Sequence, residues 1–236
     1  MGDGVMAPRL CGVCGVQAAA MFRAPPAETA PDLDLRPGEP TRSTLVRWVV
    51  TCPNCHAAAP DLTALSPALR PVVQGDAYGR LEAEIPPYAL AFVRWAKLCQ
   101  AAAIPSAEAW LQAAWTADDA ADTTHAVAWR RQAAAAWGQP ADPSSALQLV
   151  DILRRAGDFP AAAAHATQLA AEPLDETSRG IVAFQRSRIE AGDSGRHLIS
   201  SALRPPASRP HVSHKQGAHK PDRPGGFWSR LFGNRP

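Results

Sequence analysis

Two short cysteine pairs, Cys11-Gly-Val-Cys14 and Cys52-Pro-Asn-Cys55, constrain this chain more than any other feature. Together they supply four thiolates, the number that closes a tetrahedral metal shell. Soft ligands in this number point to one structural Zn²⁺ held by Cys11, Cys14, Cys52 and Cys55. Each pair fits a tight knuckle turn, relaxed by Gly12 and Gly15 in the first and shaped by Pro53-Asn54 in the second. A complete set of protein ligands leaves no position for water, which favours a structural over a catalytic ion. The competing use of such a pair is a dithiol redox site. That chemistry needs a helix start after a strand, and residues 1–10 offer no such context. His56 stands directly after Cys55, where ribbon knuckles commonly carry glycine, and is read as a local structural residue. The fifth cysteine, Cys99, sits in an apolar helical pattern and reads as a packed core thiol.

The residues around the pairs predict a small β module over 8–66. Leu45–Thr51 is rich in β-branched and aromatic residues and is expected to be a strand delivering Cys52, with Val46, Trp48 and Val50 on one face. Ala19–Arg23 is its expected partner, ended by Pro25-Pro26. Pro31–Thr41 reads as a polar, turn-rich connection bent at Pro37-Gly38. So few apolar residues need the metal for stability.

From 67 to 203 the pattern becomes helical, and alanine supplies much of the 46% hydrophobic content, as closely spaced helices require. Tyr88, Ala91, Phe92 and Trp95 line one face of a first helix. Ser106 is the expected N-cap of a second, carrying Trp110, Ala113 and Ala114, and Asp118 or Asp119 that of a third, which Gly138-Gln-Pro140 ends. A helical hairpin spans 144–171 with its turn at Gly157-Asp158-Phe159-Pro160. Gly192-Asp193 repeats that turn 35 residues after Gly157-Asp158, close to the about 34-residue period of tetratricopeptide units. A generic helical bundle is the alternative. The fold class expected is therefore mainly α: a helical-hairpin, tetratricopeptide-like stack with a small N-terminal zinc-ribbon-like β module and a disordered C-terminal tail.

With those patterns in view, the chain resembles a family of bacterial proteins without an assigned reaction that join a double Cys-x2-Cys module to a tetratricopeptide-like region. The resemblance rests on Cys11, Cys14, Arg42, Arg47, Trp48, Cys52, Pro53, Cys55 and Asp61, and on Ala113-Ala-Trp115-Thr-Ala-Asp-Asp119. It covers about residues 8–203 and implies a metal-ribbon and helical-repeat architecture. His56 departs from the commoner glycine.

Charge separates the end of the chain from its body. Residues 204–236 hold seven Lys or Arg against one Asp, a net +6, so residues 1–203 carry −4 beneath the overall +2. Residues 204–226 read as a flexible basic linker. Beyond it, Phe227, Trp228, Leu231 and Phe232 form a short amphipathic plug over 227–232 that suits a protein groove or the surface of an anionic membrane.

No secretory signal or transmembrane span is read from the sequence, and the odd fifth cysteine fits a reducing cytoplasm. No phosphate loop, nucleotide fingerprint, His-Glu-x-x-His or serine elbow is present, and Asp118, Asp119, Asp122 and His125 read as an ordinary acidic helix start. The motifs weigh against an enzyme. The leading expectation is a cytoplasmic protein-interaction adaptor, its partner another protein. The alternative is nucleic-acid binding by the ribbon through Arg42 and Arg47 with help from the basic tail.

Overall fold

The computed structural model describes residues 9–203; the 204–226 linker and the 227–232 plug lie outside the described residues. The chain is mainly helical, with one two-stranded antiparallel sheet near its N-terminus, β1 (Val50–Thr51) paired to β2 (Ala58–Ala59). Short helices α1 (Arg70–Val73) and α2 (Asp76–Glu84) lead into α3 (Leu90–Ala101), α4 (Ala107–Asp119) and α5 (Thr123–Trp137). These are followed by α6 (Pro143–Arg155), α7 (Phe159–Ala170), α8 (Glu176–Glu190) and the single turn α9 (Ile199–Ala202). Successive helices from α2 to α9 pack on one another, α8 also touches α6, and the sheet leans on α3 through β2.

Alanine makes the close packing possible. Ala109, Ala113, Ala114 and Ala117 on α4 are fully buried, which lets α5 approach closely while Trp110, Trp115 and Trp129 fill the remaining space. Phe92 and Ala96 bury the inner face of α3, with Tyr88, Ala91 and Trp95 packed at its margin. Cys99 is buried there too, and burial raises its thiol to about 11. The hairpin turn forms as expected: Gly157 at φ +75° ends α6 and Asp158 caps α7 by accepting the Ala161 N–H. Gly192 at φ +64° ends α8 in the same left-handed way, but the chain then runs irregularly to the four-residue α9.

Several local expectations are corrected. Leu45–Thr51 is not a strand: Arg42–Arg47 forms a 3₁₀ helix and only Val50–Thr51 is extended. Thr44 and Trp48 close local bonds, the Trp48 indole N–H donating to the Thr44 hydroxyl (2.9 Å) and that hydroxyl to the Thr41 carbonyl (2.6 Å). Leu45 and Val49 are buried at helical spacing, which leaves Val46 68% exposed. Ala19–Arg23 pairs with nothing as a strand; β1 pairs instead with the residues just past its own knuckle. Asp122 caps α5 in place of Asp118 or Asp119, accepting the His125 N–H at 3.0 Å. Ser106 occupies its expected N-cap position without a side-chain bond.

The largest departure is the Pro31–Thr41 connection, which enters the helical body. Leu33, Asp34 and Arg36 are almost wholly buried, and the segment forms backbone bonds with the chain before α9: Leu33 N–H to His197 O (3.0 Å) and Ile199 N–H to Pro31 O (3.0 Å). The Asp34 carboxylate accepts from the Trp115 indole (3.0 Å), Arg130 (3.1 Å) and Arg155 (2.8 Å). Asp118 closes the square by accepting from the same two arginines at 2.6 and 2.8 Å. Around it, Arg36 pairs with Asp119, Arg196 with Asp32 (2.8 Å), and Gln148 donates to the Asp34 carbonyl (2.9 Å).

Burial alone would raise the Asp34 carboxyl above its usual 3.8, but the guanidinium groups of Arg155 and Arg130 reverse this and hold it far below. A depressed carboxyl stabilises the fold above its unfolded value and loses that contribution as pH falls below it. Asp34→Asn, which leaves two buried guanidinium groups undercompensated, is expected to cost about 3 kcal/mol or more at neutral pH. Urea unfolding of both proteins will show this gap at pH 7, and a narrowing of it below pH 3.8.

Candidate metal centre

The two knuckles are built alike. In the first, Cys11 N–H donates to Val16 O (2.8 Å) and Gly15 N–H to Cys11 O (2.7 Å); in the second, Cys52 N–H donates to Ala57 O (2.8 Å) and His56 N–H to Cys52 O (3.1 Å). The residue after each second cysteine adopts the left-handed region, Gly15 at φ +76° and His56 at φ +59°. His56 therefore takes the glycine position of its knuckle, and its role is backbone geometry. Gly12 meets a different demand. Its N–H donates to Leu62 O (2.9 Å), and a Cβ there would stand 1.8 Å from the Leu65 carbonyl oxygen.

These turns bring the Sγ atoms of Cys11, Cys14, Cys52 and Cys55 within 4.8 Å of one another. Cys11 to Cys55 is 3.8 Å and Cys14 to Cys52 is 3.6 Å. A tetrahedral ion with metal–sulfur bonds of about 2.3 Å has S···S edges of about 3.8 Å, so the cluster has the dimensions of an S₄ site. A disulfide, at about 2.05 Å, is excluded by the same distances, and all five cysteines are free thiols. Cys11 and Cys52 are buried, while Cys14 and Cys55 border an open cleft of about 400 Å³ shared with Asn54, His56 and Arg70.

The thiols do not ionise alike. Burial opposes ionisation of Cys14, but the Val16 N–H, the Asn54 side chain and neighbouring thiols outweigh it and bring the group to about 6. Burial raises both Cys11 and Cys55, and neighbouring thiols raise them further. Four clustered thiolates need a cation among them, and a divalent ion displaces their protons on binding. Such an ion would have every position filled by protein, so the arrangement holds structure and offers no site for bound water.

The centre is fastened to the helices by groups that no spacing in the sequence marks. The Tyr78 hydroxyl on α2 donates to His56 O (3.0 Å), and Arg70 on α1 donates to Val13 O (3.1 Å). Arg9 pairs with Asp61 at 2.7 Å, and Asp61 caps the turn that presents buried Leu62 to Gly12. The two arginines read as nucleic-acid contacts are placed apart in character. Arg42 reaches Asp32 (3.7 Å) and Asp119 (3.4 Å), whereas Arg47 is exposed with its guanidinium 4.1 Å over the Phe22 ring.

No family model, curated protein or solved structure matches the chain. The knuckle geometry makes its own prediction. His56→Gly removes a left-handed side chain and is expected to stabilise the metal-loaded protein by up to about 1 kcal/mol, whereas Gly15→Ala costs about the same. Gly12→Ala is expected to be the most damaging of the three, since a backbone carbonyl must move. Thermal melts of the three variants against the unaltered protein give the order.

Proposed function

We propose that the chain is a cytoplasmic protein-interaction adaptor whose N-terminal module is held by one structural Zn²⁺, with the tetratricopeptide-like helical stack as its recognition surface. The observation that carries the metal part is the set of four cysteine sulfurs at tetrahedral edge lengths on two matched knuckles. An all-sulfur tetrahedral shell suits zinc, which asks for no special geometry of its own and does no redox chemistry. The adaptor part is supported by the layered helices α4 to α8 and by an open groove among α5, α6 and α7. Among the described residues, no helix is long and apolar enough to cross a membrane.

Nucleic-acid binding is the second reading. Its support narrows to Arg47, exposed on the module, because the carboxylates of Asp32 and Asp119 already engage Arg42. Salt-dependent binding of DNA or RNA that vanishes in Arg47→Ala would promote it above the adaptor reading.

Native mass spectrometry with metal analysis is expected to find one zinc per chain, absent after all four cysteines are replaced by serine. Normal zinc content in that variant would sink the assignment. With free zinc at 1,000 times its dissociation constant the ion contributes about 4 kcal/mol. Chelation should then lower the melting temperature by roughly 8–16 °C. For the adaptor reading, cross-linking in cells should recover a protein partner through residues 90–203; recovery unchanged by folded surface variants there argues against it.

A further inference from the structure

We propose that the groove among α5, α6 and α7 binds a segment of a partner protein in which apolar side chains alternate with carboxylates; this rests on the adaptor reading and gives it a surface and a chemistry. The groove is open and measures about 540 Å³, within the range of ligand-sized clefts. Ala134 and Ala135 of α5 line it above the buried Leu149 and Leu153 of α6, and the alanines leave room for side chains from outside. Gly138, at φ +69°, ends α5 at the groove, with nothing within 4 Å of where its Cβ would stand. That end of the groove therefore has free space beside Gly138.

The rim sets the charge of the occupant. Arg131 of α5 and His165 of α7 both line it, and among the described residues neither side chain makes an ion pair or hydrogen bond. This contrasts with their surroundings: Arg130, one residue earlier, and Arg154 and Arg155 on α6 are all paired with carboxylates. Asp158 is the acidic group on the rim, and its carboxylate caps the α7 N-terminus, accepting the Ala161 N–H. An unpaired guanidinium and an imidazole beside an apolar wall complement a carboxylate next to an apolar side chain.

The same helices already hold one carboxylate that is flanked by leucines. Within Asp32-Leu33-Asp34-Leu35, Asp34 is seated by Arg130 of α5 and by Gln148 and Arg155 of α6, while Asp32 pairs with Arg196 and Arg42. The chain neighbours of Arg130 and Gln148, Arg131 and Leu149, line the groove. Helix α5 thus carries two adjacent arginines, Arg130 closed by Asp34 and Asp118 and Arg131 open at the groove.

The test titrates the full-length, zinc-loaded chain into a fluorescein-labelled octapeptide of alternating Leu and Glu, with Leu/Lys and Ser/Glu octapeptides as controls. Saturable binding of the Leu/Glu peptide, with both controls about tenfold weaker or worse, is expected. Arg131→Glu should reverse the preference toward Leu/Lys. Ala135→Trp, which fills the groove from an exposed position, should abolish binding, with circular dichroism and melting unchanged in both variants. Equal binding of the Leu/Glu and Leu/Lys peptides, or Leu/Glu binding untouched by either variant, overturns the proposal. So does a photocrosslinking residue at position 135 that captures residues 204–236 of the same chain or a second copy, because the occupant is then the protein itself. Loss of peptide binding while a cellular partner is still captured through another surface overturns the groove alone. Failure of both overturns the adaptor reading with it.

Discussion

The carboxylate of Asp34 holds the N-terminal segment to the helical stack. Taking an aspartate entirely out of water is costly, and the cost is met only because two arginines and an indole N–H converge on it. Those three donors come from α4, α5 and α6, so one side chain from the N-terminal region fixes the relative positions of three helices. Asp118 completes the charge balance from α4, and neither arginine is left facing a single acid. An apolar residue in place of Asp34 would take the acceptor from the Trp115 indole and leave both arginines to Asp118 alone.

The metal centre and this ion-pair square lie in one structure through the core between them. Cys11 and Cys52 belong to the same buried cluster as Phe92, Trp110 and Ile152, so the helices build directly on the wall of the cysteine cluster. Tyr78 and Arg70 reinforce that join by bonding carbonyls within the knuckles, where they support the backbone without competing for the ion.

How much of this was legible in the sequence depended on the range of the interaction. The cysteine pairs, the 157–160 turn and the helical body were readable because each is local: a spacing of three, a left-handed glycine followed by a capping aspartate, apolar residues at helical period. The Leu45–Thr51 error came from composition, since β-branched residues fit a strand only where a partner ladder exists, and Thr44 and Trp48 had local bonds to make instead. The Pro31–Thr41 segment misled for a deeper reason. Its Asp, Arg, Pro and Gly residues are those of an exposed turn, and nothing within it discloses the arginines more than ninety residues away that make its burial favourable. An odd signal was present in the excess of arginine on α5 and α6, two of which point at no acid nearby in sequence.

The connection between the two knuckles is a closed loop whenever an ion joins Cys14 to Cys52, and Asp34 lies midway along it. Closing a chain at both ends confines its middle, so a bound ion would raise the effective concentration of Asp34 for its arginine socket without touching it. The converse follows by linkage: a seated Asp34 holds the two knuckles near each other and lowers the entropy lost when the ion is taken up. An ion held there would thus be coupled to the packing of α4, α5 and α6 through a tether as well as through the core they share.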